Sequence, residues 1–440
     1  MKKSYIDLFT AAVLCLSFTF CQSYKQVKAQ QIQPAPMVRL PLPEYKPLIP
    51  PPSKLQPALY SPKAEKERKA LATSLEEALN DPLLHTSHVG IYVYDLTDDC
   101  PVFLHGHQQR LRPASTMKLV TTITAMRALG VNYQYRTRLL ATDSIDKAEG
   151  VLPGNLYVRG CMDPLLGHSD LRNLVADLEK AGVKRISGNI YFDASFKEEN
   201  EAGWGWCWDD DNPPMDAFLL NGKGKGAFRE AFLRQLRHQG IRFNGMAKEG
   251  HTPASAQCIA ECTHNLNQVL VTTLKESDNL MAESIFYQTA AHTGKRGAGR
   301  KEAARLTQQF LDSLGISSRH YEIADGSGLS LYNYLTPELL VTLLRYAYHH
   351  PEIYDHLLPA LPIAAHDGTL AKRMHGTRAA GNVCAKTGTL SGVSSLAGYL
   401  TAANGHRLAF AIINQGLFST SAGRNFQDRL CRIMVEKGNR

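Results

Sequence analysis

The stretches that read most plainly as hairpins lie near opposite ends of this 440-residue chain. One is Val89-Gly-Ile-Tyr-Val-Tyr-Asp95, a Thr97-Asp-Asp turn and Val102-Phe-Leu104. The other is Leu396 to Thr401, an Asn404-Gly405 turn and Leu408 to Asn414. Alternating apolar residues broken by turn formers argue for strands. The two ends are therefore expected to share one antiparallel sheet, flanked by helical patterns at Leu71–Leu79, about Asn265–Lys275, Leu280–His292 and about Ala422–Glu436. This is an α+β architecture, and with 44% apolar residues the chain can bury one large core and a second, smaller domain.

From about 143 to 256 the pattern changes to strands, Asn155–Val158 and Gly188–Asp193, around one amphipathic helix, Leu171–Lys180. This reads as a smaller α/β domain inserted at 143–256. The main domain is then discontinuous, built from 70–142 and 257–440.

Four short stretches carry chemistry: Pro-Ala-Ser115-Thr-Met-Lys118, Ser277-Asp278-Asn279, Asp325-Gly-Ser327-Gly and Lys386-Thr387-Gly388-Thr389. A Ser followed three residues later by Lys is a weak signal by itself. Ser144-Ile-Asp-Lys147 has the same spacing, yet it sits among Asp143, Asp146 and Glu149 and reads as a polar turn. Ser115 differs because Leu119, Val120, Ile123, Met126 and Leu129 recur behind it at helical spacing and Gly130 closes the run, which predicts a helix apolar on one side. Its first turn offers free N–H groups and the positive dipole end to a developing anion. Residues three apart on a helix stand one above the other, so Lys118 can reach the Ser115 hydroxyl. Burial or a second cation, for which Lys386 is the candidate, lowers a lysine pKa and frees a lone pair. Ser277 and Asn279 cannot share a helix face at two-residue spacing, so a loop is expected to point both at one cleft.

The set Ser-x-x-Lys, Ser-Asp-Asn and Lys-Thr-Gly is shared with penicillin-binding proteins and class A β-lactamases. The chain resembles the penicillin-binding protein 4-type D-alanyl-D-alanine carboxypeptidase/endopeptidase family over roughly residues 70–435. Further matching stretches are Gly154-Asn-Leu-Tyr-Val-Arg-Gly160 with Asp163-Pro164, Gly188-Asn-Ile-Tyr-Phe-Asp193, Asp325-Gly-Ser-Gly-Leu-Ser330 and Lys386 through Tyr399. A β-rich insertion that follows a Leu-Asn segment in family members is missing after Leu219-Leu220-Asn221, where Gly222-Lys-Gly-Lys-Gly226 runs almost at once into a helical pattern from Phe228 to His238.

The resemblance implies a penicillin-binding/β-lactamase-like transpeptidase fold and a serine-type carboxypeptidase, and it extends to endopeptidase action on peptidoglycan stem peptides. On this reading Ser115 attacks the D-alanyl-D-alanine carbonyl, Lys118 takes its proton and Ser277 relays a proton to the leaving amine. Asn279 orients the substrate amide, and Lys386, Thr387 and Thr389, at the start of an edge strand, grip the terminal carboxylate. Backbone N–H groups of Ser115 and Thr389 hold the oxyanion, each worth about 3–4 kcal/mol. The Asp325–Ser330 loop lies beside the site with no chemical step assigned. β-Lactam antibiotics are expected to acylate Ser115, and no cofactor or metal is called for.

Two rivals are a serine β-lactamase and a catalytically silent wall-binding protein. The first needs a deacylating Glu-x-x-Leu-Asn between the second and third motifs; Glu76-Glu-Ala-Leu79-Asn80 fits the string but lies upstream of Ser115. The second is opposed by intact polar positions.

Lys2 and Lys3 precede an apolar run from Leu8 to Phe20, and Val27-Lys28-Ala29 offers a small-residue cleavage site, the layout of a signal peptide at 1–29. Export to the periplasm or cell envelope is the expectation, with peripheral membrane association if the segment is retained. Ten of the 22 prolines fall in 30–69, which reads as an extended linker. Removing 1–29 takes away Lys2, Lys3, Lys25 and Lys28 with Asp7, so a net charge of +8 becomes only modestly basic. No Lys/Arg block interleaved with aromatics points to nucleic acid. Seven cysteines follow residue 29; the spacing of Cys258 and Cys262 could hold a metal, but no second pair and no histidine cluster stands close by, so no zinc site is expected there.

Overall fold

The computed structural model describes residues 62–317 and 320–436. The expected signal peptide and the linker as far as residue 61 lie outside them. The remainder of the linker differs from expectation, because 62–69 open a helix, α1 (Pro62–Glu77). Pro62 suits a first helical turn, and Lys63-Ala-Glu-Lys-Glu-Arg-Lys69 is made of good helix formers, with Glu65 and Lys69 paired at 2.7 Å. That helix ends in Leu71 and Leu75, both buried in the main core.

Strands β1 (His88–Asp95) and β2 (Cys100–His105) come next, then helix α2 (Met117–Leu129). The middle of the chain holds β3 (Gln134–Ala141), β4 (Leu156–Arg159), α3 (His168–Lys180), β5 (Ile190–Asp193), α4 (Lys225–His238), β6 (Ala247–Glu249) and β7 (Gln257–Asn265). Helices α5 (Leu266–Lys275), α6 (Asn279–Ala291), α7 (Arg300–Ser313), α8 (Pro337–Tyr348) and α9 (Pro351–Ala360) follow. The chain closes with β8 (Cys384–Leu390), β9 (Val393–Thr401), β10 (Arg407–Gln415) and α10 (Thr420–Glu436).

The two ends do share one sheet, in the order β8-β9-β10-β1-β2. Its centre is the antiparallel pair β1 and β10, with Ile91 opposite Ile412 and Val93 opposite Phe410. These residues, with Leu71 and Leu75 of α1 and Phe426, Leu430 and Met434 of α10, form the core on one face. On the other face Tyr399 donates its hydroxyl to the Leu344 carbonyl of α8 at 2.7 Å.

A second sheet runs β7-β3-β4-β5-β6. It is mixed: β3 pairs antiparallel with β7 and β4, whereas β4, β5 and β6 are parallel. Leu171, Leu174 and Leu178 of α3 and Phe228 and Phe232 of α4 cover it with Phe192. Because β3 and β7 belong to this sheet, its strands reach past both expected limits of 143 and 256. We propose that the inserted unit runs from about 134 to 265. Asn221 and Gly222 turn the chain sharply, with φ of +48° and +72°, straight into α4.

Helix α2 departs from its one-sided pattern. Every residue from Met117 to Met126 is buried, because α5 through α9 surround it. Its threonines survive there by bonding inward: Thr122 Oγ1 donates to the Lys118 carbonyl at 2.7 Å and Thr121 Oγ1 to the Gly326 carbonyl at 2.6 Å.

Candidate active site

Ser115 sits in a single 3₁₀ turn, Ala114–Thr116, that feeds α2. Ala114 takes a left-handed φ of +47°, and Thr116 Oγ1 donates to the Pro113 carbonyl at 2.6 Å, so the turn is fixed by its own side chains. The Ser115 hydroxyl lies 3.0 Å from Lys118 Nζ. Lys118 is completely buried, and its amine also donates to Asn279 Oδ1 and to the Ser327 carbonyl, both at 2.8 Å. Those two oxygens can only accept. A neutral amine has two N–H donors and one lone pair, so it satisfies both and still accepts the proton of the Ser115 hydroxyl.

Burial pushes the Lys118 ammonium down from 10.5 to about 8, against the opposing pull of Asp325, Glu283 and Asp278. Burial is the main cause of the Lys118 shift, and repulsion between the Lys118 and Lys386 cations disfavours charge on both amines. Lys386, also fully buried, is held well below the usual lysine range by burial first and by the charge of Lys118 second.

Ser277 lies in the turn between α5 and α6 with a left-handed φ of +63°. Asp278 caps α6 by accepting from Met281 N at 2.9 Å, and Asn279 is the first residue of that helix. One tripeptide thus both starts a helix and presents two side chains to the cleft. Lys386 Nζ donates to Ser277 Oγ at 2.9 Å and to the Thr387 carbonyl at 2.8 Å. It therefore faces Ser277 inside the protein rather than the open cleft. Beyond it a pocket of about 580 Å³ is lined by Ser115, Ser277, Thr387, Thr389, Lys372 and Arg424. Arg373 also reaches this pocket but is tied to Asp428.

Sequence reasoning placed the Asp325 loop beside the site without a role for its carboxylate and missed Glu283 altogether. Glu283, one helical turn beyond Asn279, accepts from Gly326 N at 3.1 Å and Ser327 N at 2.8 Å. Burial, with Asp325 nearby, pushes its carboxyl above the usual carboxylate range. Asp325 folds the loop around itself: it accepts from Gly328 N, Ser330 N, Asn333 Nδ2 and Trp206 Nε1, at 2.8, 2.6, 2.7 and 2.9 Å. These bonds aim the Ser327 carbonyl at Lys118. The only clue in the sequence was the glycine spacing of Asp325-Gly-Ser-Gly.

Two glycines let the loop and the edge strand close on Ser115. A Cβ on Gly328, whose φ is +82°, would fall 1.9 Å from the Ala114 carbonyl, and one on Gly388 would fall 2.2 Å from Ser395 Oγ and 2.9 Å from Ser115 N. Gly328→Ala is expected to cost about 2–4 kcal/mol of stability and to slow acylation, since left-handed strain and a backbone clash act together. Paired chemical denaturation and penicillin-labelling rates check this.

A hydroxyl beside a buried lysine, a second lysine–serine pair and a threonine-bearing edge strand define a serine acyl-transfer site. The chain belongs to the D-Ala-D-Ala carboxypeptidase 3 (S13) family, whose family model matches residues 71–223 and 217–437, and it is a serine-type D-alanyl-D-alanine carboxypeptidase. It is 28% identical over 415 residues to the D-alanyl-D-alanine carboxypeptidase DacB of Haemophilus influenzae, covering 76% of this chain and 86% of that one. It is 27% identical over 442 residues to the D-alanyl-D-alanine carboxypeptidase of Actinomadura sp. (strain R39), covering 79% and 81%. The crystal structure of penicillin binding protein 4 (dacB) from Haemophilus influenzae superposes with a TM-score of 0.73 at 26% identity, covering 82% of this chain and 97% of that one. The same protein complexed with a β-lactam gives 0.66. The fold is thus the penicillin-binding, β-lactamase-like one.

Proposed function

We propose that Ser115 is the nucleophile, Lys118 its general base and Ser277 the proton relay in trimming the terminal D-alanine from peptidoglycan stem peptides. The observation that carries this reading is the Lys118 amine, whose two fixed acceptors leave its lone pair for the Ser115 proton. Attack by Oγ on the penultimate D-alanine carbonyl forms a tetrahedral oxyanion facing the N–H groups of Ser115 and Thr389. Collapse expels the D-alanine amine, which takes a proton from Ser277 as the proton that Lys118 drew from Ser115 passes on to that hydroxyl, so the Lys118 amine is free again, with Lys386 holding the Ser277 oxygen in place. Water then attacks the acyl-enzyme by the same route in reverse. Asn279 keeps Oδ1 on Lys118 and offers Nδ2 to the substrate amide.

Because Lys386 is turned inward, the substrate carboxylate is gripped by the Thr387 and Thr389 hydroxyls with the pocket cations Arg424 and Lys372. Arg424→Ala is expected to raise KM for a D-alanyl-D-alanine peptide about tenfold with kcat little changed, as measured by steady-state release of D-alanine.

β-Lactams acylate Ser115 in this reading, supported by the β-lactam complex of the Haemophilus relative. The Glu76–Asn80 string does not supply a deacylating base: it lies on α1 and the turn after it, with Glu76 exposed, and α1 covers the sheet face opposite the site. Penicillin therefore turns over slowly. The same residues cleave cross-bridges, giving endopeptidase activity. Export to the cell envelope follows from the N-terminal pattern at 1–29; among the described residues no helix is long and apolar enough to cross a membrane. Digestion of purified cross-linked wall tests the assignment: free D-alanine supports the carboxypeptidase step, monomers from dimers support the endopeptidase, and neither product overturns both.

A further inference from the structure

Outside the catalytic motifs, three potential metal ligands of different chemistry converge where the second sheet meets α3. Cys262 and His264, two residues apart on β7, share a face of the sheet, and Asp170 projects from the first turn of α3, which lies across that face. One donor atom from each lies within 4.8 Å of the other two, and His264 Nε2 stands 3.7 Å from Asp170 Oδ2. A zinc ion with bonds of about 2.0–2.3 Å holds tetrahedral donors roughly 3.3–3.8 Å apart, so small side-chain adjustments close the set.

A second observation orients the imidazole. Asp163 is 1% exposed, and its Oδ2 lies 2.7 Å from His264 Nδ1 while its Oδ1 accepts from Leu165 N at 3.0 Å. That carboxylate accepts a hydrogen bond from Nδ1–H, which keeps the proton on Nδ1 and the lone pair on Nε2, the arrangement by which carboxylates orient metal-binding histidines. Asp170 is similarly steadied, since its Oδ2 accepts from Gly167 N at 2.8 Å. His264 and Asp170 keep 17% and 25% of their side chains exposed, so an ion can enter from solvent.

We propose that Cys262, His264 and Asp170 form a divalent-cation site selective for zinc, with Asp163 as its supporting carboxylate. A thiolate, an imidazole and a carboxylate together suit zinc better than the oxygen-seeking magnesium or calcium. Three protein ligands leave a fourth position for water. The ion ties α3 to β7, and β7 runs directly through the Asn265 cap into α5 and the Ser277 turn, so its role is to pin α3 to the strand by which the inserted unit returns to the catalytic half. Reading Cys258 and Cys262 as a pair hid this site, because the partner of Cys262 is the histidine two residues along.

The test uses the whole protein, reduced and freed of metal by chelation. Titration with Co²⁺ is expected to give a thiolate-to-cobalt charge-transfer absorption saturating at one ion per chain, displaced by Zn²⁺, and Zn²⁺ is expected to raise Tm. Cys262→Ser abolishes that band and weakens zinc binding at least about 100-fold. Asp163→Asn, which removes no ligand, weakens it about 10–100-fold. Cys258→Ser, on the same strand but outside the set, leaves it unchanged. Absence of the band in the unaltered protein overturns the proposal whatever the variants do, and so does undiminished zinc affinity in a folded Cys262→Ser protein.

Discussion

Ser115→Ala is expected to lower the rate of D-alanine release by a factor on the order of 10⁴ or more, and to abolish covalent labelling by penicillin in the same preparation. Removing the nucleophile of an acyl-transfer site leaves only binding and the oxyanion donors, and effects of that size follow. The substitution deletes a hydroxyl next to a buried amine without disturbing the Asn279 and Ser327 contacts that hold that amine, so the fold survives. An unchanged Tm with no label attached is the expected pair of readings. A label that persists in the variant removes Ser115 from the mechanism.

The second large effect is on pH. With Lys118 pushed down to about 8, the fraction of free amine grows about tenfold per pH unit below that value and saturates above it. kcat/KM is therefore expected to climb through neutral pH and level off above about 8. Lys118→Arg is expected to be inactive across the range, because a guanidinium holds its proton at every usable pH. Stability moves the same way. The unfolded chain keeps the lysine proton up to 10.5 and the folded one releases it near 8, so between these values the unfolded state binds more protons and stability rises with pH. The full penalty, about 3 kcal/mol, stands below 8 and is relieved by 10.5. Denaturation of Lys118→Met at pH 7 and at pH 10 measures this contribution: the variant loses the Lys118 share of the rise and keeps the share that belongs to buried Lys386. A peak of activity on the acid side, or a Lys118→Arg enzyme that works, refutes the assignment of the base.

The readable part of the molecule was what local pattern controls. Alternation placed β1, β2, β9 and β10, and the Ser115 helix ended at Gly130 as its spacing required. Three features escaped for physical reasons. Lys63–Lys69 was read as the end of the extended linker, but its helix formers gain stability from Leu71 and Leu75 docking in the core downstream. β7 alternates in burial from Ala260 to Asn265, but its inward residues Ala260, Cys262 and His264 lack the large apolar side chains that mark a strand, and its pairing with β3 lies more than a hundred residues away. Glu283 and Asp325 lie in stretches where nothing local distinguishes a buried carboxylate from a surface one; their roles come from bonds to backbone N–H groups of a loop some forty residues away or of their own turn. Lys386 was found by its motif, yet the direction in which it faces is set by Ser277, over a hundred residues upstream.

The amine of Lys118 is gripped by groups from positions 279 and 327, and the second serine by a lysine at 386. A ribosome-bound fragment or a threadlike polypeptide in transit therefore owns a serine but no working base, and hydrolysis begins only after the last third of the polypeptide has docked. On the proposed roles, latency before folding is thus written into the connectivity.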